Sequence, residues 1–186
     1  MAGKYSARND SGHHVIAQDD PIALHVLKQE HHRFRELFDA AEASDGEERA
    51  AIARELCMRL GVHMTIEEEL LYPALKSVIG ADEINEGIVE HAAGKVLMAE
   101  IENLSGDEEL YEAKVHVLGE ETIHHIDEED EELFEYAKQA HRDGKVDLDE
   151  LGRTLEARQA ELYANLEQFG DEGDTHEAVA EEIPAA

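Results

Sequence analysis

Apolar residues recur every three or four positions along most of the chain, and five helical stretches can be laid out on that period. They run over about 21–43, 47–76, 82–104, 108–140 and 148–169. The stripe of the first is Leu24, Leu27, His31, Phe34, Phe38 and Ala41. That of the second is Ile52, Leu56, Leu60, His63, Glu67, Leu70 and Ala74, and that of the third Ile84, Ile88, His91, Gly94, Met98 and Ile101. The fourth carries Tyr111, Val115, Leu118, Thr122, His125, Glu129, Leu133 and Tyr136. No alternating Val/Ile/Thr run suggests a strand.

Punctuation supports these limits. Asp20-Pro21 reads as an N-cap followed by proline in the first turn, and Ser44-Asp45-Gly46-Glu47 and Ser105-Gly106-Asp107-Glu108 read as capping boxes. Pro73 should end or kink the second helix, and Asp147 with Glu150 caps the fifth. Short loops between four long helices predict an all-α fold, an up-down-up-down antiparallel four-helix bundle over 20–141 with an additional C-terminal helix over 147–169. Residues 1–19 read as a flexible leader and 170–186 as a disordered acidic tail. The fifth helix carries Leu148, Leu151, Leu155, Leu162, Leu166 and Phe169 on one stripe, which suits either capping of the bundle or a homodimer through that helix; a monomer and a homodimer both stay open.

Composition narrows the partners. The 186 residues carry a formal charge of −30, which repels phosphate backbones and anionic membrane surfaces, so neither nucleic acid nor membrane is expected as a partner. No apolar run is long enough for a spanning helix and no N-terminal segment resembles a secretory signal. A single cysteine, Cys57, excludes an intramolecular disulfide and suits a reducing, cytoplasmic setting.

Twelve histidines alter this bland picture. Each of the first four helices places one on its inward stripe, and the second and fourth add a glutamate four residues on. At ~1.5 Å rise per residue, His31 and His63 lie ~18 and ~24 Å from the first inter-helix turn. The same reckoning puts His63 and His91 at ~20 and ~14 Å from the second turn, and His91 and His125 at ~20 and ~26 Å from the third. All four therefore fall within about one turn of a common plane. The chain reads as two copies of one hairpin, H…HxxxE.

Two ionised carboxylates and four imidazoles in one buried layer are expensive without a cation. Mixed imidazole and carboxylate donors suit iron, manganese or zinc, and the pattern alone does not choose among them. The candidate metal ligands are His31, His63, Glu67, His91, His125 and Glu129. His124, five before Glu129, competes with His125 as a ligand or an outer support. The other histidines, His13, His14, His25, His32, His116, His141 and His176, are expected on the surface or in the tails. The remaining members of the acidic runs, Glu68 among them, are expected on solvated faces.

Four stretches in order, LKQEHHRFRELF around His31, HMTIEEELLYPAL from His63, EHAAGKVL around His91 and HHIDEEDEELF around His125, resemble the hemerythrin-like family, or HHE cation-binding domain, over about residues 20–140. DLDELGRTLEARQAEL is similar to the extra helix of bacterial members. The resemblance implies two non-haem iron ions, oxo- or hydroxo-bridged, with His31 and His63 on one, His91 and His125 on the other, and Glu67 and Glu129 bridging. Oxygen carriers of this family have a further histidine four after that of the third helix, where this chain has Lys95. They also use an aspartate five after the histidine of the fourth helix, where the stripe here selects Glu129, four after. The pattern is thus closer to hemerythrin-like proteins associated with peroxide, nitric oxide or oxygen chemistry. The expected ligand is a small molecule, hydrogen peroxide first and O2 or NO next, handled by catalase- or peroxidase-like turnover. The alternative is an iron or oxygen sensor without turnover.

Overall fold

A computed structural model describes residues 16–106 and 108–170, and in it the apolar stripes become α-helices interrupted by two π-turns. Helix α1 spans Ile22–Ala43 and α2 Gly46–Ile66; a π-turn at Glu67–Leu71 then passes into α3, Tyr72–Ile79. Helix α4 spans Asp82–Glu102 and α5 Tyr111–Glu128; a second π-turn at Glu129–Leu133 leads into α6, Phe134–Arg142. The last helix, α7, is Leu148–Gly170. No strand occurs among the described residues. The leader's residues 1–15, the tail's 171–186, and His13, His14 and His176 with them, lie outside the described part.

Packing of α1 on α2, α2 on α4, α4 on α5 and α5 on α1 closes the antiparallel four-helix bundle that the short loops predict. Helix α7 lies along α1 and α2 and touches the first π-turn and α6, burying Leu148 and Leu155. Arg158 Nε donates to Glu69 Oε2 at 2.8 Å, and Tyr163 Oη to Glu30 Oε2 at 3.4 Å. The stripe of α7 is therefore largely covered by the bundle itself, with Leu166 left exposed.

The interior falls into two apolar clusters. One is built around Phe34, Phe38, Leu56, Leu60, Ile101 and Leu118, the other around Leu24, Leu27, Leu71, Leu75, Phe134 and Leu155. Between them lies the layer of buried histidines and glutamates.

Several local expectations are corrected. Asp20 does not cap α1; it accepts bonds from the Ala17 N–H and from Lys28 and Lys138, while the Ile22 N–H donates to Asp149 Oδ1 of α7 at 3.0 Å. No capping box forms at Ser44, whose hydroxyl turns back to the Ala40 carbonyl. At Ser105 only half of the box is made, the Glu108 carboxylate accepting the Ser105 N–H, and α5 starts later, at Tyr111. The cap by Asp147 forms as read, its Oδ1 accepting the Asp149 and Glu150 N–H groups at 3.0 Å.

Pro73 neither ends nor breaks its helix: the π-turn falls just before it, so its missing N–H sits in the first turn of α3. Each π-turn inserts one residue and rotates the downstream stripe. Leu71, Tyr72 and Leu75 are buried where Leu70 and Ala74 were expected, and Phe134 and Ala137 pack inward while Tyr136 stays 50% exposed. In α4, Ile88 is 40% exposed and Gly87 takes its place. A Cβ at Gly87 would meet Tyr72 Oη at 2.9 Å, so the space an isoleucine would fill is already held by tyrosine.

Candidate metal centre

Both HxxxE pairs stand at a π-turn: His63 lies in the last turn of α2 and Glu67 opens the first π-turn, while His125 lies in the last turn of α5 and Glu129 opens the second. Four residues of helix bring each imidazole and its carboxylate to one face. The distances are 3.3 Å from His63 Nε2 to Glu67 Oε2 and 3.7 Å from His125 Nε2 to Glu129 Oε2. The hairpins also cross-connect, His31 Nε2 lying 3.5 Å from Glu129 Oε2 and His91 Nε2 3.4 Å from Glu67 Oε2.

The six candidate residues thus meet in one layer, all buried. Two groups have ligand atoms within 4.8 Å of one another: His31, His63, Glu67 and Glu129; and Glu67, His91 and His125. Glu67 is common to both. His124 is turned outward, its side chain 64% exposed and 3.3 Å from Glu128, so it takes no part in this layer.

Outer partners aim three of the four imidazoles. His31 Nδ1 donates to Asp130 Oδ1 at 3.0 Å, and Asp130 in turn accepts from Arg35 at 3.2 Å. His91 Nδ1 donates to Glu68 Oε1 at 3.0 Å, and Lys95 Nζ grips both Glu68 oxygens at 2.7 Å. His125 Nδ1 donates to Glu90 Oε2 at 2.7 Å. A proton fixed on Nδ1 makes Nε2 the atom that faces the centre and the one that would bind a metal. Tyr72 Oη donates to Glu129 Oε1 at 2.9 Å, and its ring stacks on His91. Phe134 stacks on His31 with ring centroids 5.6 Å apart.

None of these supporting residues was singled out from sequence. Asp130 carried a signal: it stands five after His125, the place where the resemblance puts a ligand aspartate. Here that side chain reaches His31 Nδ1, and Glu129 faces the centre. Glu68 was expected on a solvated face and is instead bonded to His91. His141, expected at the surface, is partly buried and accepts the Leu148 N–H, tying the α6–α7 loop.

The electrostatics of the metal-free layer are divided. Burial, with Glu129 alongside, pushes Glu67 up to about 7. Burial acts on Glu129 the same way, yet His125 and His31 outweigh it and hold its carboxyl well below the usual range. Against the lowering effect of burial, Asp130 and Glu129 push His31 up to about 9, and Glu129 and Glu90 do the same for His125. Burial and the neighbouring His31 drive His63 well down.

These directions fix a pH dependence for the metal-free chain. Glu67, His31 and His125 all hold protons more tightly folded than unfolded, so their contributions are fully present below the unfolded values. They fade as pH rises through about 7 for Glu67 and about 9 for the two histidines. His63 has the opposite sign and acts only as pH falls below 6.5. The melting temperature of metal-free protein is therefore expected to fall steadily from pH 6.5 to 9. Thermal melts in matched ionic strength test this, and a rise over that window contradicts it.

Six atoms of the layer have no hydrogen-bond partner: His31 Nε2, His63 Nδ1 and Nε2, both Glu67 oxygens and Glu129 Oε2. Buried polar atoms are rarely left so, and lone pairs converging from imidazoles and carboxylates are what a divalent or trivalent cation satisfies. The donors present fit a metal. Two cavities reach the layer. An apolar one of about 310 Å³ between α2, α4 and α5 is lined by Leu60, Met64, Leu97, Leu118 and Ile126, with His63, His91 and His125 at its inner wall. A smaller one of about 90 Å³ is lined by Tyr72, Glu90, Glu129 and further acidic residues.

A helical bundle whose core holds two overlapping histidine–carboxylate groups defines a metal-binding class of protein. The profile of the hemerythrin HHE cation-binding domain matches residues 22–137, and the chain belongs to that family. No curated protein and no solved structure matches the chain.

Proposed function

We propose that the chain binds two non-haem iron ions, His31 and His63 holding one, His91 and His125 the other, with Glu67 and Glu129 shared between them. The observation that carries this reading is the set of six partnerless buried atoms converging in one layer. Bound iron supplies Lewis acidity and redox chemistry at a position open to a small ligand. The protein's own part is to hold His31, His91 and His125 by their Nδ1 protons, to place the Tyr72 hydroxyl against Glu129, and to keep bulk water out between two apolar clusters.

The apolar cavity beside His63, His91 and His125 favours small neutral molecules over anions, and we assign hydrogen peroxide as the first substrate, ahead of O2 and NO. Turnover is then catalase- or peroxidase-like, in a reducing, cytoplasmic setting that suits the lone buried Cys57. Anaerobic iron loading should give about two irons per chain and a ligand-to-metal charge-transfer absorption on exposure to peroxide, with steady peroxide loss. A chain that retains no iron overturns the proposal. Metal analysis of protein purified without added metal separates iron from manganese and zinc.

One observation favours a second reading, an iron or oxygen sensor without turnover. The polar layer splits the apolar interior, so metal occupancy should govern how firmly the helices are held. Two bound irons, a large rise in melting temperature and no peroxide loss would select it.

A further inference from the structure

We propose that Glu90, His124 and Glu128 form an outer divalent-cation site, and that the acidic cavity beneath it is the route by which cations load the buried layer. The loading role rests on the reading of that layer as a metal centre; the outer site does not.

Ligand atoms of the half-buried Glu90 on α4 and the exposed His124 and Glu128 on α5 lie within 4.8 Å of one another. His124 Nε2 is 3.3 Å from Glu128 Oε1. Two carboxylates and one imidazole leave a divalent ion several water positions, which suits a weak and exchangeable stop. Glu90 and Glu128 also line the cavity of about 90 Å³, together with Glu86 and Glu132. No lysine or arginine lines it, and its acidic residues outnumber the one histidine in its wall, His125, so the net potential inside attracts cations. Its volume holds about three waters, room for an ion with part of its hydration shell.

The inner end of the cavity is the buried centre itself. Glu129 is almost wholly buried, lines this same cavity, and its Oε2 has no hydrogen-bond partner. Glu90 links the two ends, since its Oε2 accepts from His125 Nδ1 while His125 Nε2 faces Glu129. The apolar cavity lies against His125 as well. Cations and neutral small molecules thereby reach one layer from two cavities, one acidic and one apolar, that share Glu90 and His125 as a common wall.

The test uses the full metal-free chain with Mn2+, counted by its paramagnetic signal, and Fe2+ mixed anaerobically in stopped flow. Wild-type protein is expected to take two tight equivalents and a third, weaker one. His124→Ala and Glu128→Gln alter exposed side chains outside the buried layer. Each should lose the third equivalent and with it the stop from which the tight sites fill, and Glu128→Gln, which also removes negative charge at the mouth, should fill them roughly tenfold more slowly. Final tight occupancy should stay at the wild-type value. Added salt should slow the wild-type chain more than Glu128→Gln. Wild-type loading rates in both variants overturn the route, and a retained third equivalent overturns the outer site. A wild-type chain with no tight equivalents overturns the buried centre and the loading role together, while loss of the weak equivalent in the variants still supports the outer site.

Discussion

Glu67→Met is expected to remove metal from both halves of the centre while raising the stability of the metal-free chain. Glu67 is the one residue common to both ligand groups, so under the proposed two-ion assignment its loss takes a donor from each ion. In the metal-free chain the same carboxylate is a burden. It is fully buried, neither oxygen has a hydrogen-bond partner, and burial with Glu129 beside it raises its proton affinity. Methionine has similar volume and no polar atoms to satisfy, so the metal-free variant should gain about 1–3 kcal/mol at pH 8. Metal analysis with paired melts of metal-free and loaded protein measures both effects. Two ions retained in Glu67→Met sink the shared-ligand assignment. His32→Ala, on an exposed face of α1, should keep wild-type occupancy. Glu68→Ala should not, because Glu68 holds His91 by its Nδ1 proton and is itself held by Lys95; about 10–100-fold weaker binding is expected.

That contrast between Glu67 and Glu68 shows how far the sequence could be read. A histidine or glutamate at a stripe position stands out because leucine belongs there, and helical rise is regular enough to level four histidines across three turns. The same regularity hid the π-turns. Nothing in EEELL or EDEEL announces an inserted residue, since an i+5 bond is a backbone event with no side-chain signature. Beyond Glu67 and Glu129 the stripe was therefore read one residue early at Leu70, Ala74 and Tyr136, although Leu133 is buried as expected, and Tyr72, brought inward by that shift, was missed. Supports such as Asp130 and Glu68 lie in charge runs where most members are solvated, and Glu90 is a single acid beside His91 with no pattern to mark it, so only three-dimensional placement separates them. Gly87 shows the opposite difficulty. Its missing side chain is the signal, and a hydrophobicity pattern rewards Ile88 in its place.

Gly152→Ala is expected to undock α7. An ideal Cβ at this glycine would lie 2.3 Å from the Ala23 nitrogen and 2.6 Å from the Ile22 carbonyl carbon. Those atoms are backbone of the first turn of α1 and cannot rotate aside, so the helices must separate by more than an ångström. Separation uncovers Leu148 and Leu155 and breaks the bond by which Asp149 caps the Ile22 N–H. Overpacking of about 1–3 kcal/mol and a lost cap of about 1 kcal/mol together predict a fall in Tm of roughly 10 °C. Proteolysis within α7 should become fast at temperatures where the wild-type chain resists. Gly61→Ala supplies the contrast, because no atom lies within 4 Å of its added Cβ and alanine favours the interior of α2 by about 0.5–1 kcal/mol. A Gly152→Ala melt matching that of Gly61→Ala would remove the case for close α1–α7 packing. The consequence extends to the centre, since α7 also steadies the first π-turn through Arg158 and Glu69, two residues beyond Glu67. Weaker metal retention in Gly152→Ala, with every buried donor intact, is the result that ties the C-terminal helix to the chemistry of the core.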